Sequence, residues 1–275
     1  MREAQVPRLP PRHDVIGVRI SQTDYDEACD TISAAAMARR PLLATALAVH
    51  GTVEAARDGQ FGAQIDRFDL VLPDGQPVRW ALRLIHGVRL SDRVYGPELM
   101  MRLCRRARQL GVSIYLYGST NDTVQRLRAS LERALPGLAI VGCEPSVFRP
   151  LTPTEDSDLV GRIERSGAGI VFIGLGCPRQ EAFGFAHRET IRAAQVCVGA
   201  AFDFHAGTKR QAPMWMQNRG LEWLFRLCQE PRRLWRRYAT TNSLFIYLLA
   251  RQWLVQTPSG APCTTKPDSY SSGNN

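Results

Sequence analysis

Asp74 stands in the segment Leu-Pro-Asp-Gly-Gln-Pro, where an apolar run ends, Gly75 frees the backbone and Pro77 stiffens the exit. A carboxylate placed there reads two ways. It is a turn aspartate, or it is a base that takes a proton from a hydroxyl attacking opposite a leaving phosphate. His50, Arg93 and Gln180 on other segments favour the second reading, because basic groups beside one carboxylate suit that chemistry. His50 itself fits either a ligand contact or a helix-start residue.

Other motifs carry less. Gly174-Leu175-Gly176 lacks the third glycine of a dinucleotide fingerprint, that position being Arg179, and Pro178 interrupts the turn into a helix. Asp156-Ser157-Asp158 matches the DxD pattern that holds a divalent cation, but it follows Pro153 and Thr154 and opens a helical pattern, where acidic side chains complement the helix dipole. The five histidines form no HxxxH or HxH grouping, so no metal is expected. No GxSxG elbow and no phosphate-binding GxxxxGK[ST] loop is present. The seven cysteines are scattered, odd in number and never spaced CxxC, which fits reduced thiols rather than zinc or a disulfide framework.

The elements that must position these residues are legible as apolar runs at Val15 to Ile20, Leu42 to Leu47, Leu70 to Leu72, Ile114 to Tyr117, Leu138 to Val141, Ile170 to Ile173 and Val196 to Val198. Continuous rather than alternating hydrophobicity predicts strands covered on both faces. Between them, Gly96 to Leu110 and Asp122 to Leu135 repeat apolar residues every three to four positions. The expectation is an α/β chain with a mostly parallel sheet wrapped by helices, whose ligand crevice lies beyond the carboxyl ends of the strands. The glycine-bearing segments after the strands then become the candidate walls of a phosphate or sugar site.

After Gly207 the pattern reads as successive helices, with Pro231 at the start of one and arginine rows at Arg232/Arg236 and Arg233/Arg237. Residues 219–251 hold seven arginines against Glu222 and Glu230, so five of the chain's net +9 charges fall there. The neighbouring aromatics favour contact with anionic lipid or another polyanion over a merely solvated face. The apolar strip from Leu244 is shorter than the roughly 20 residues that span a bilayer, so it reads as lying on a membrane or packing in a core or oligomer. The first residues have no apolar run for a secretory signal, so a cytoplasmic protein is expected. The expected organisation is a disordered 1–13, a catalytic domain over 14–218, a basic helical membrane-associating segment over 219–256, and a disordered tail over 257–275.

Taken in order, the motifs resemble the WecB/TagA/CpsF glycosyltransferases of family 26: Thr45 in LLATALAVHG, PDGQPVRW from Pro73, RVYGPEL from Arg93, LYGS from Leu116, GLGCPRQE from Gly174, FDFHAG from Phe202 and GLEWLFRLCQEPRRLWRR from Gly220. The resemblance implies a Rossmann-like core and an inverting, metal-independent enzyme with no cofactor. It also implies transfer from a UDP-sugar to a polyprenyl-diphosphate-linked saccharide in cell-surface polysaccharide synthesis, by a peripheral protein on the inner face of the cytoplasmic membrane. Asp74 would be the base, Thr45 would lie near the acceptor, and Gln180 would match the glutamine of a PKQE motif. Gln76, Gly96, Pro178 and Glu181 enter as members of the same motifs. The nucleotide is expected near Tyr117, Gly118, Gly174, Gly176 and Asp203, and the diphosphates near Arg93, Arg226, Arg233 and Arg236. Two departures stand out: Leu47 where the family carries asparagine, with His50 nearby, and Arg210-Gln211-Ala212-Pro213 where the family carries RAP, a shift of one residue; the lysine of PKQE is also replaced, by Arg179. The other readings are a nucleotide-sugar epimerase, or a nucleic-acid binder through the arginine-rich end, which lacks any base-stacking platform. No nucleic-acid partner is expected; a homo-oligomer is allowed.

Overall fold

The computed structural model describes residues 8–256. The chain runs β1 (Arg12–Val15), β2 (Val18–Ser21), α1 (Tyr25–Met37), β3 (Leu42–Leu47), α2 (Val49–Arg57), α3 (Gly59–Asp66), β4 (Leu70–Pro73), α4 (Gln76–His86) and α5 (Gly96–Leu110). It continues through β5 (Ile114–Gly118), α6 (Asn121–Ala134), β6 (Ile140–Glu144), α7 (Pro153–Ser166), β7 (Ile170–Gly174), α8 (Arg179–Ala186), β8 (Ala194–Cys197) and α9 (Ala201–His205). Three helices close it: α10 (Met214–Asn218), α11 (Glu222–Gln229) and α12 (Pro231–Gln256).

Six strands form one parallel sheet in the order β4-β3-β8-β7-β5-β6. Successive side chains along a strand point to opposite faces, and the sequence fills both. Ile170 and Phe172 of β7 enter a core shared with α1, α5 and α6, whereas Val171 and Ile173 enter a second core under α2, α3 and α8. This two-sided burial is why the strands read as unbroken apolar runs. From β3 the chain winds outward to β4, and from β5 it winds the opposite way to β6, so the loops beyond the inner strands diverge into a crevice.

Local chemistry sets the helix limits. Thr152 and Glu155 close a capping box at the start of α7, and Thr120 accepts from the Thr123 amide at the start of α6. Pro77 and Pro97 occupy the first turns of α4 and α5, where a missing N–H is harmless.

Three boundaries differ from expectation. The run Val15 to Ile20 is not one strand but a hairpin: Val15 pairs with Val18, and the two-residue loop Ile16-Gly17 takes φ of 51° and 86°. Both loop positions need the left-handed conformation of a primed turn, which glycine supplies at the second and which an apolar pattern does not reveal at the first. That hairpin starts at Arg12, so ordered structure begins before the expected 13/14 boundary. Leu138 belongs to the turn after α6, its amide donating to Leu135 O, and β6 begins at Ile140. The expected disordered tail 257–275 lies outside the described residues, as do residues 1–7.

The closing helices rest on the sheet's helical layer. α12 packs along α2 and α4, burying Leu234 and Phe245. Gln252 bridges back to the hairpin, donating to Asp14 O and Oδ1 and accepting from the Ile16 amide. Among the described residues no helix is long and apolar enough to cross a membrane.

Candidate active site

A cleft of about 1060 Å³ opens at the carboxyl ends of β3, β4, β7 and β8, with α11 and α12 forming its outer wall. Asp74 follows β4 and is held on both sides. Its amide donates to Leu72 O (2.9 Å) and Leu47 O (3.3 Å), and the Val94 amide donates to Pro73 O. Gly75 then turns the chain with φ 95° and ψ 142°, a conformation that an L-residue adopts only under strain, and α4 begins at Gln76.

The Asp74 carboxyl is partly exposed to the cleft but otherwise ringed by protein. That desolvation pushes its pKa up to about 7, and Glu222 pushes it the same way. Arg93, the Gly96 N–H that donates to the carboxylate, and Arg226 pull it back down. A carboxylic acid poised near neutrality, beside an open cavity, is suited to accept a proton from a hydroxyl and later release it.

The structure brings several expected residues to this cavity: His50 in the first turn of α2, Gln76 at the start of α4, Gly174 and Gly176 after β7, Gln180 on α8, Asp203 on α9 and Arg226 on α11. His50 Nδ1 lies 3.8 Å from Glu54 Oε1. Other expected residues lie behind the wall. Arg93 does not line the cleft; it is 4% exposed, ion-paired to Glu222, 3.1 Å from Gln217 Oε1, and stacked 4.3 Å from the Tyr95 ring centroid. Its charge acts on Asp74 through this fixed arrangement, from behind the cavity lining in which it was expected to meet the diphosphates.

Thr45 is fully buried, donating to Glu181 Oε1 at 2.9 Å, and so does not reach the cavity as the expected acceptor contact. Glu181 is equally buried, and desolvation raises its pKa. Tyr117 packs its ring 4.9 Å from that of Phe183, and Gly118 lies against Gly174 beneath the floor. Gly96 contributes its amide, and Pro178 sits one residue behind the lining Arg179. Arg236 is exposed outside the cleft, 5.3 Å from the Trp235 ring centroid, and the Arg233 side chain lies outside the described residues. Asp156 of the DxD segment sits in the first turn of α7, within 2.9 Å of His187 Nε2, and neither it nor Asp158 lines the cavity.

Sequence reasoning missed the wall that the closing helices build. Trp80 on α4 meets Gly220, and Trp223, Tyr238, Asn242 and Phe245 add an apolar and amide-bearing side to the cavity. Lys209, also in the lining, pairs with Asp203 (3.2 Å) and Glu230 (3.6 Å). Glu222 was visible only as a minus sign in a basic segment; nothing in its spacing announced that it would face Arg93 and Asp74.

Set beside known proteins, this architecture has clear relatives. The N-acetylglucosaminyldiphosphoundecaprenol N-acetyl-beta-D-mannosaminyltransferase of Bacillus spizizenii strain W23 is 30% identical over 185 residues, covering 67% of this chain and 69% of the relative. The protein of the same name from Bacillus subtilis strain 168 is 30% identical over 185 residues, 66% of this chain and 69% of its own. The glycosyl transferase WecG/TagA/CpsF family pattern matches residues 13–259, and with a parallel α/β sheet and a carboxylate-bearing cleft at its strand ends, the chain belongs to that family.

Proposed function

We propose that the protein transfers an N-acetylhexosamine or related hexose from a UDP-sugar to a polyprenyl-diphosphate-linked saccharide, with inversion and without a metal, in the assembly of a cell-surface polysaccharide. The observation that carries this reading is Asp74: a carboxyl raised to about pKa 7 at the floor of a 1060 Å³ cleft in a glycosyltransferase fold. Asp74 takes the proton from an acceptor hydroxyl as that oxygen bonds to the anomeric carbon. The bond from that carbon to the β-phosphate oxygen breaks, and UDP leaves with the electron pair from the opposite face. One displacement inverts the centre.

The negative charge that accumulates on the leaving diphosphate needs cations. Arg226 and Lys209 line the cavity, as does Arg179, whose Nη2 donates to Leu175 O at the same rim. Full activity in EDTA is therefore expected. The relatives' names supply N-acetylmannosamine as the first donor sugar and N-acetylglucosaminyl-diphosphate-lipid as the first acceptor to try. Incubating the protein with a panel of UDP-sugars and a short-chain prenyl-diphosphate saccharide, with mass spectrometry of the product, tests the reading. A mass increment of one sugar that disappears in Asp74→Asn supports it; donor turnover without any acceptor product would point to an epimerase instead.

The setting follows from the surface. The basic helical segment 219–256 exposes Trp235, Ile246, Tyr247, Trp253 and Val255 beside Arg232, Arg236 and Arg251, a combination that suits the anionic interface of a membrane and supports a peripheral setting at the inner leaflet of the cytoplasmic membrane.

A further inference from the structure

Gln180 presents an unusual combination. It is 3% exposed yet lines the cleft, and its Oε1 has no hydrogen-bond partner among the described residues. Its orientation is not free to change. Nε2 donates to Glu181 Oε1 at 2.8 Å, and the same Glu181 oxygen accepts from Thr45 Oγ1 at 2.9 Å. Thr45 and Glu181 are both fully buried, on β3 and α8. The backbone is pinned as well, the Gln180 amide donating to Gly176 O and its carbonyl accepting from the Cys197 thiol. Turning the amide over would set its oxygen against the Glu181 carboxyl. The carbonyl oxygen is therefore fixed on the other side, next to Gly199 of the cleft wall.

A buried acceptor left without a donor is destabilising, and native proteins keep few of them outside functional sites. The position says what fills this one. In the sheet, β3 and β8 lie between β4, which carries Asp74, and β7, which leads into Gly174 and Gly176. Three strand spacings make about 14 Å between those ends. If the acceptor hydroxyl meets Asp74 at one end and the diphosphate meets the β7 loop at the other, the transferred pyranose lies over β3 and β8, beside Gly199 and Gln180.

We propose that Glu181, braced by Thr45, is a positioning residue that fixes the Gln180 amide so that its Oε1 accepts a hydrogen bond from the transferred sugar. Gln180 thereby selects a sugar with a hydroxyl or amide N–H at that point and disfavours one with an acceptor or alkyl group there. The assignment rests on the glycosyl-transfer reading given above, and it gives Thr45 a role beneath the site instead of at the acceptor.

Calorimetry on the full chain separates the sugar from the nucleotide, using UDP and UDP-N-acetylmannosamine as probes on wild type, Gln180→Met, Glu181→Leu and Glu181→Gln. The neutral glutamine keeps an acceptor oxygen for both Thr45 and Gln180, so it is the rescue variant. The expected result is unchanged UDP affinity throughout, with UDP-sugar affinity about tenfold weaker in Gln180→Met and Glu181→Leu and largely restored in Glu181→Gln. Wild-type sugar affinity in Gln180→Met overturns the proposal, and so does a Glu181→Gln variant as impaired as Glu181→Leu. Gln180→Met decides the matter if Glu181→Leu does not fold. The expected binding pattern without any transfer to a lipid acceptor would uphold this inference and count against the proposed reaction.

Discussion

At Asp74 opposing fields set the proton affinity, and each can be removed separately. Burial and Glu222 favour the neutral acid, while Arg93, the Gly96 amide and Arg226 favour the carboxylate. As a base Asp74 must be ionised, so kcat/KM should rise with pH through about 7 and level off above it. Glu222→Gln removes a charge that raises the pKa, so the rising limb of the pH–rate profile should move toward acid. Arg93→Met removes a charge that lowers it, so the limb should move toward alkali. Movement of both variants in one direction would contradict this electrostatic account. The same shift has a consequence for stability. The folded-state pKa lies above the usual 3.8, so the native protein holds a proton that the unfolded chain releases, and Asp74 costs stability as pH rises from about 4 to about 7. Asp74→Asn should therefore be inactive yet melt higher than wild type at pH 8, by on the order of 2 kcal/mol after allowing for solvent reaching the carboxyl from the cleft, with the gain lost below pH 4. Thermal unfolding at the two pH values checks it.

Among the elements, the strand ends do the positioning, and the tightest of them is the β4–α4 turn. Gly75 at φ 95° and ψ 142° has no equivalent L-residue conformation, so Gly75→Ala should lower unfolding free energy by about 1–3 kcal/mol and reduce kcat by moving the Asp74 carboxyl. Denaturant unfolding beside initial rates measures both. This turn was legible in the sequence because an apolar run, a glycine and a proline mark it from either side. The same holds for β3 and α5, whose apolar periods give Leu42–Leu47 and Gly96–Leu110 without adjustment. What stayed hidden has a physical reason in each case. The β1–β2 turn puts an isoleucine at positive φ inside a continuous apolar run, so hydrophobicity carried no sign of it. Arg93 was read as a ligand cation because its motif gives residue type but not direction; its partners Glu222 and Gln217 lie more than 120 residues away in sequence, where no local pattern reaches. Thr45 lies on β3, where burial on both faces leaves a hydroxyl only an internal partner, and Glu181 is that partner.

On the scale of the whole molecule, the cavity is closed on one side by helices that also carry the basic, aromatic surface. Phe245 and Asn242 of α12 face the cleft while Tyr247 and Arg251 of the same helix are exposed outside it. One helix thus presents a cavity wall and an exposed basic, aromatic face, and under the proposed function this suits a lipid-linked acceptor whose reactive sugar must leave the headgroup plane while its chain stays in the bilayer. The two functions can be separated because Arg232 and Arg236 lie outside the cleft, one turn apart. Each basic side chain near an anionic surface contributes about 1 kcal/mol, so replacing both with glutamine should weaken binding to phosphatidylglycerol-containing vesicles by about 2 kcal/mol, roughly thirtyfold. The attraction should fade in both proteins as salt shortens the Debye length. UDP affinity should stay at the wild-type level, since neither residue lines the cleft. Vesicle co-sedimentation and calorimetry together decide it: unchanged vesicle binding would remove the arginine rows from membrane contact, whereas a parallel loss of UDP affinity would mean that α12 bears on the nucleotide site through its inner face.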